Sequence, residues 1–174
     1  MSVDFTRYVR DVADFPRKGV VFKDLTPLLA DARAFAAVVD ALVAPFRDDA
    51  IERVVGIEAR GFIFGAAAAR ALGSGFVPMR KPGKLPSATI GVDYALEYGN
   101  DRLEMHADAL VRGERVLIVD DVLATGGTLV AAARLCEQAG ALLAGAAVVA
   151  EIAFLNGRAR WDRRAPLHTV MRFD

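Results

Sequence analysis

Four apolar residues in succession, Val116-Leu117-Ile118-Val119, run straight into two carboxylates, Asp120 and Asp121. Side chains alternate between the two faces of a strand, so an unbroken apolar run needs cover on both faces. A parallel sheet with helices on each side supplies that cover. The pattern recurs at Arg53-Val-Val-Gly-Ile57, and around residues 75–79, 141–151 and 168–173. Between these runs lie segments of helical character, 61–73 and 127–139, closing on Gly73 and Gly140. Repeated strand–helix units predict an α/β fold, a mostly parallel central sheet flanked by helices.

The rest of the chain is less regular. Phe5, Tyr8, Val9 and Val12 share a helical face, which predicts a helix over 4–14. Pro16, Gly19 and Pro27 break 15–29 into turns and short extended pieces. A second helix is expected over 31–46 with Asp31 as its cap. The insertion from 82 to 102, with Pro82, Gly83, Pro86, Gly91 and Gly99, reads as a long loop or flexible hairpin, and such loops are usually functional. After it, Leu103 and Met105 alternate inward against Arg102, Glu104 and His106.

At 174 residues and 54% hydrophobic, the chain is expected to form a single domain with a substantial core. Its 22 basic residues balance its 22 acidic ones, so no overall field draws it to nucleic acid or an anionic membrane. An anion site must be built locally. The one cysteine, Cys136, excludes an internal disulfide and a cysteine metal cluster. With no apolar signal core at its start and no run of membrane-spanning length, the protein is expected to be cytoplasmic. His106 and His168 lack metal-ligand company, and Trp161 reads as a packing anchor.

Chemistry concentrates where strands end. Ligands of open α/β sheets sit at the carboxyl ends of the strands, where Asp120 and Asp121 fall. Thr125-Gly126-Gly127-Thr128 then opens the next helix, whose first amides suit a phosphate. Carboxylates for hydroxyls beside amides for an anion suit a sugar phosphate. Neither a Gly-Lys-Ser/Thr P-loop nor a GxGxxG element is present. Glu58-Ala59-Arg60-Gly61 repeats the arrangement after the strand at 53–57, with the Arg60 fork available to anionic oxygens. Arg80, Lys81 and Lys84 put three cations within five positions, beside a Gly/Pro loop. Val20, Val21 and Phe22 offer an apolar wall on which a ring could stack.

The string VLIVDDVLATGGT (116–128) resembles the phosphoribosyl pyrophosphate motif of type I phosphoribosyltransferases. GIEARGFIFG (56–65), RKPGKLP (80–86), ALEYG (95–99) and FPRKGVVFKDLTPLL (15–29) resemble the adenine phosphoribosyltransferases among them, in that family's order. The resemblance covers about residues 12–157, and the final 158–174 carries little recognisable pattern. It implies a single domain over 1–174, with residues 1–30 contributing a hood and 82–102 a flexible catalytic loop. It implies that Asp120 and Asp121 bind ribose hydroxyls, and that Ala124, Thr125, Gly126, Gly127 and Thr128 hold the 5′-phosphate. Glu58, Ala59 and Arg60 would form the pyrophosphate loop, with a cis peptide expected at Ala59–Arg60. Arg80, Lys81 and Lys84 would meet the pyrophosphate, partly across a homodimer. Val21, Phe22 and Leu155 would enclose adenine, and Arg60, Glu97 and Tyr98 are the catalytic candidates, Glu97 exchanging a proton with the purine. Mg²⁺ would be held mainly by substrate, near Asp120 and Asp121. The implied reaction joins adenine to phosphoribosyl pyrophosphate, giving AMP and pyrophosphate. Two alternatives stay open: a phosphoribosyltransferase for a 6-oxopurine, and a regulator that senses phosphoribosyl pyrophosphate on the same fold.

Overall fold

A computed structural model describes residues 4–96, 99–162 and 164–174. Strands β3 (Arg53–Ile57), β4 (Gly75–Met79), β7 (Arg115–Leu123), β8 (Leu142–Ile152) and β9 (Leu167–Phe173) form one sheet in the order β4-β3-β7-β8-β9. Every neighbouring pair in it is parallel. Helices α2 (Ala32–Val43) and α3 (Gly61–Leu72) cover one face and α4 (Gly127–Gln138) the other.

The apolar run behaves as its pattern requires. Val116 and Ile118 join the core under α4, with Leu129, Ala132 and Cys136. Leu117 and Val119 join the opposite core, with Val38, Leu42 and Phe64 of α2 and α3. Removing a Leu- or Phe-sized side chain from water stabilises the fold by about 1.5–3 kcal/mol. This two-sided burial therefore fixes the register of β7 and the position of the acidic pair near its end.

Two small antiparallel units flank the sheet. The strands β1 (Arg10–Ala13) and β2 (Val21–Asp24) pair as one, and β5 (Thr89–Leu96) and β6 (Gly99–His106) as the other. The second unit makes the 82–102 insertion largely a hairpin. Leu103 and Met105 point into the core from it, as their alternation predicts.

Three elements differ from the sequence reading. The helix expected over 4–14 is a 3-10 turn at Phe5–Tyr8 followed by β1. Arg10 faces Asp24 and Asp11 faces Lys23 across the two strands, with ion pairs at 2.6 and 2.7 Å, and Phe5, Tyr8 and Val9 reach the core without a helix. Lys23 and Asp24 thus each find their partner across the unit. Residues Thr26–Ala30, read as turn, form the short helix α1, because Pro27 sits in the first turn, where its missing N–H is not needed. Helix α2 ends at Val43, since Pro45 leaves only a 3-10 turn at Ala44–Phe46. Its cap is as expected: the Asp31 carboxylate accepts from the amides of Arg33 and Ala34 at 3.0 and 2.8 Å. His168 and Trp161 are structural, with His168 Nε2 3.1 Å from the Ala41 carbonyl and the Trp161 indole donating to Ala165 at 2.7 Å. Among the described residues, no helix is long and apolar enough to cross a membrane.

Candidate active site

The carboxyl ends of β3 and β7, with the turn after β8, enclose three adjoining cavities. The largest, about 450 Å³, is apolar in character and runs from Val20, Val21 and Phe22 across to Phe154 and Leu155. A cleft of about 280 Å³ lies beside it, between Glu58-Ala59-Arg60, Lys81 and the Asp120–Asp121 pair. A small cradle of about 70 Å³ lies under Ala124, Thr125, Gly126 and Thr128. They share walls: Arg60 and Asp121 border the first two, Asp120 and Thr128 the cleft and the cradle, Ala124 and Thr125 the cradle and the apolar cavity.

β7 continues to Leu123, three residues past its expected end, because β8 is long enough to pair Val122 with Ala150 and Leu123 with Glu151. The acidic pair therefore stands on rigid strand. Asp121 is 7% exposed and is bound by the Arg60 guanidinium. Arg60 in turn lies 4.8 Å from the Phe22 ring centroid, a cation–π contact that ties the first strand pair to the sheet. Asp120 accepts the Asp121 amide at 2.9 Å. Burial, and next the neighbouring Asp121 charge, push the Asp120 carboxyl well above the usual aspartate range. Its Oδ1 fits against the start of α3: a Cβ at Gly61 would stand 2.6 Å from it and 3.2 Å from the Asp120 Cα.

The turn into α4 uses Gly126 in the left-handed region, φ 82°, as its N-cap, and Gly126, Thr128 and Leu129 at the opening of the helix line the cradle. The Thr128 hydroxyl lies 3.4 Å from the Tyr94 hydroxyl.

After β3 the peptide Glu58–Ala59 is cis. The expected position was Ala59–Arg60; the cis bond falls one residue earlier, since Arg60 already has helical angles as the residue that precedes α3. Glu58 gathers the basic cluster. Its carboxylate accepts from Lys84 Nζ at 2.7 Å and from the Lys81 amide, with Arg80 Nε at 3.5 Å. Burial pushes the Glu58 carboxyl up, but the Lys84 and Lys81 hydrogen bonds and the charges of Lys84 and Arg80 outweigh it, leaving it below the ordinary value. Of the three cations only Lys81 lines the cleft. Its ammonium binds Asp101 and the Tyr94 hydroxyl, at 2.7 Å to the latter. Burial works against that charge, yet these partners hold the Lys81 pKa above the ordinary lysine value. Arg80 and Lys84 are turned onto Glu58 instead.

The structure thus brings Val21, Phe22, Glu58, Ala59, Arg60, Lys81, Asp120, Asp121, Ala124, Thr125, Gly126, Thr128 and Leu155 to the walls of one composite site. Gly127 is buried as the first residue of α4. Glu97 and Tyr98 lie outside the described residues. Sequence reasoning missed Gly157. An added Cβ at Gly157 would come 2.1 Å from the Ala124 carbonyl oxygen, so this residue lies on the back of the cradle. A glycine after an exposed apolar turn was the available signal.

The strand–carboxylate–glycine loop and the second loop carrying Arg60, with Lys81 beside them, thus form one composite cleft at the carboxyl end of the sheet. Residues 28–168 match the family model for the phosphoribosyl transferase domain. Adenine phosphoribosyltransferase of Xanthomonas euvesicatoria pv. vesicatoria is 57% identical over 165 residues, 95% of this chain and 89% of that protein. The crystal structure of adenine phosphoribosyltransferase from Rhodothermus marinus superposes with a TM-score of 0.94 at 48% identity, covering 97% of this chain and 96% of that one. That of Giardia lamblia, complexed with 9-deazaadenine, gives 0.93 at 41% identity, covering 100% and 99%. The chain belongs to the phosphoribosyltransferases, and within them to the adenine phosphoribosyltransferase family.

Proposed function

We propose that this protein transfers ribose 5-phosphate from phosphoribosyl pyrophosphate to N9 of adenine, releasing AMP and pyrophosphate in purine salvage. The observation that carries the reading is the order of the three cavities around Asp120 and Asp121. An apolar one suits a planar base, a carboxylate- and cation-lined one suits ribose and pyrophosphate, and an amide-lined one suits the 5′-phosphate. The Giardia relative, bound to 9-deazaadenine, supports a base of the adenine type.

In this reading the base lies between Phe22 and Leu155, and the ribose hydroxyls meet Asp120 and Asp121. The amides and hydroxyls of Ala124–Thr128 hold the 5′-phosphate. Glu58–Arg60 and Lys81 receive the pyrophosphate. N9 bonds to the anomeric carbon as the carbon–oxygen bond to pyrophosphate breaks, inverting that carbon, while the base gives up its proton to Glu97. Tyr98 packs over the substrate in this reading, and exclusion of water protects the cationic centre. Positioning and charge stabilisation supply most of the rate.

Mg²⁺ fits this donor set as an ion carried in on the substrate. Among the described residues no group of three His, Cys, Asp or Glu could cage a metal. Asp121 is engaged by Arg60, and burial raises the Asp120 pKa. The two carboxylates would hold the ion through ribose hydroxyls or water, and the ion would neutralise pyrophosphate charge. A homodimer in the cytoplasm completes the proposal, with Arg80 and Lys84, held on Glu58 but partly exposed, exchanging that partner for the neighbouring subunit's pyrophosphate. The test is AMP formation from adenine and phosphoribosyl pyrophosphate, with pyrophosphate released in equal amount and both abolished by a chelator. Product unaffected by chelation contradicts the metal assignment, and no product contradicts the function.

A further inference from the structure

One turn of chain touches both halves of the site from behind. After β8 the chain makes two 3-10 turns, Ala153–Leu155 and Gly157–Arg160, hinged at Asn156, which is left-handed with φ 52°. The first turn carries Phe154 and Leu155 to the apolar cavity. The second opens with Gly157, buried against the glycine loop. A Cβ on Gly157 would come 2.9 Å from the Gly126 nitrogen, and one on Gly126 would come 2.5 Å from the Gly157 carbonyl oxygen. The contact is backbone on backbone, so a shift in one segment moves the other.

The next residue, Arg158, anchors this turn. Its Nη2 donates to Glu151 at 2.6 Å and to the Thr169 hydroxyl at 2.7 Å, its Nε to both Glu151 oxygens at 3.1 Å, and its Nη1 to the Leu167 carbonyl at 2.8 Å. Glu151 is 4% exposed on β8, and Thr169 also donates to it. Neither Arg158 nor Glu151 borders any of the three cavities. A planar five-donor fork can serve a carboxylate, a hydroxyl and a carbonyl together; an ammonium cannot reproduce that geometry.

We propose that Arg158 and Glu151 are a positioning pair, which clamps the 153–160 turns to β8 and β9 and thereby sets the phosphate loop and the outer wall of the base cavity together. The inference rests on the function proposed above. It assigns these residues an effect on both substrates, through Gly157 on the loop and through Leu155 on the base. β8 and β9 pair along six positions from Ala146 to Ile152 without help from this ion pair, so the sheet persists when the clamp is released.

Steady-state kinetics of R158M, R158K and E151Q, beside the wild type, test it. R53M serves as the comparison: it breaks the 2.9 Å Arg53–Glu114 pair at the opposite end of the sheet. In R158M and E151Q the KM for phosphoribosyl pyrophosphate and the KM for adenine both rise about fivefold or more, while kcat at saturation stays within about threefold of wild type. R158K stays nearer to R158M than to wild type. R53M lowers Tm and leaves both KM values unmoved. Folded variants with lowered Tm and wild-type KM values would reduce the pair to ordinary stabilisation and overturn the proposal. Should R158M fail to fold, the isosteric E151Q carries the same test. A wild type that makes no AMP defeats the functional reading, and the inference with it. An active wild type with unmoved KM values in E151Q defeats the positioning role alone.

Discussion

The substitution Gly61→Ala sets two physical effects against each other. Gly61 opens α3 and has no left-handed backbone angle, so alanine is conformationally allowed there. Helix propensity alone favours alanine by up to about 1 kcal/mol. Sterics oppose it: the new methyl would stand 2.6 Å from Asp120 Oδ1, 3.2 Å from the Asp120 Cα and 3.4 Å from the Val119 carbonyl oxygen. The Asp120 Cα belongs to the strand backbone and has nowhere to retreat, while the Val119 oxygen stands at ordinary contact distance. Overpacking a rigid interior contact costs about 1–3 kcal/mol. Sterics therefore win, with a net loss of about 1–2 kcal/mol, which in a domain of this size lowers Tm by about 2–8 °C. The shift also displaces the Asp120 carboxyl, so the KM for phosphoribosyl pyrophosphate rises. Thermal unfolding and initial-rate kinetics measure both. A G61A protein as stable as wild type or more so, with an unchanged KM, refutes the close-contact reasoning.

Asp120 and Glu151 respond to pH in opposite directions. Because the Asp120 pKa is raised in the folded state, its contribution is fully present below the ordinary aspartate pKa and is lost as pH rises. Asp120→Asn should therefore raise Tm at pH 7, lose that advantage in acid, and weaken phosphoribosyl pyrophosphate binding; a D120N enzyme less stable at pH 7 contradicts the assignment. For Glu151 the Arg158 hydrogen bond holds the carboxyl below the usual glutamate range, so its stabilisation is present above the unfolded pKa and disappears as pH falls. The Tm gap between wild type and E151Q should be widest near neutrality and close in acid, and a gap independent of pH speaks against that pairing. Glu97→Ala should lower kcat more than it raises either KM; a pure affinity loss removes its role in proton transfer.

Much of the fold was legible because burial on two faces leaves a plain signature. The runs 53–57 and 75–79 became β3 and β4 with the expected bounds, and 127–139 became α4 within a residue. Where one periodicity fits two structures, the sequence misled. Phe5, Tyr8, Val9 and Val12 match a helical face, yet the charged residues between them pair across two strands. Pro27 looked like a breaker and instead starts a helix. The candidate site was legible from contiguous strings such as Asp120-Asp121 and Thr125–Thr128. The clamp behind it was not, since Glu151, Arg158, Leu167 and Thr169 converge only through the tertiary fold. The engagement of Arg80 and Lys84 by Glu58 was equally hidden, because 80–84 and 58 meet only where β3 and β4 lie side by side.

The most direct measurement sets adenine, hypoxanthine, guanine and xanthine side by side, each with the protein, Mg²⁺ and phosphoribosyl pyrophosphate, and reads the nucleotide formed. AMP from adenine, with little or no product from the 6-oxopurines, is the expected result. A 6-oxopurine nucleotide as the main product would leave the sugar and phosphate sites standing and contradict the assignment of the cavity between Phe22 and Leu155 to adenine.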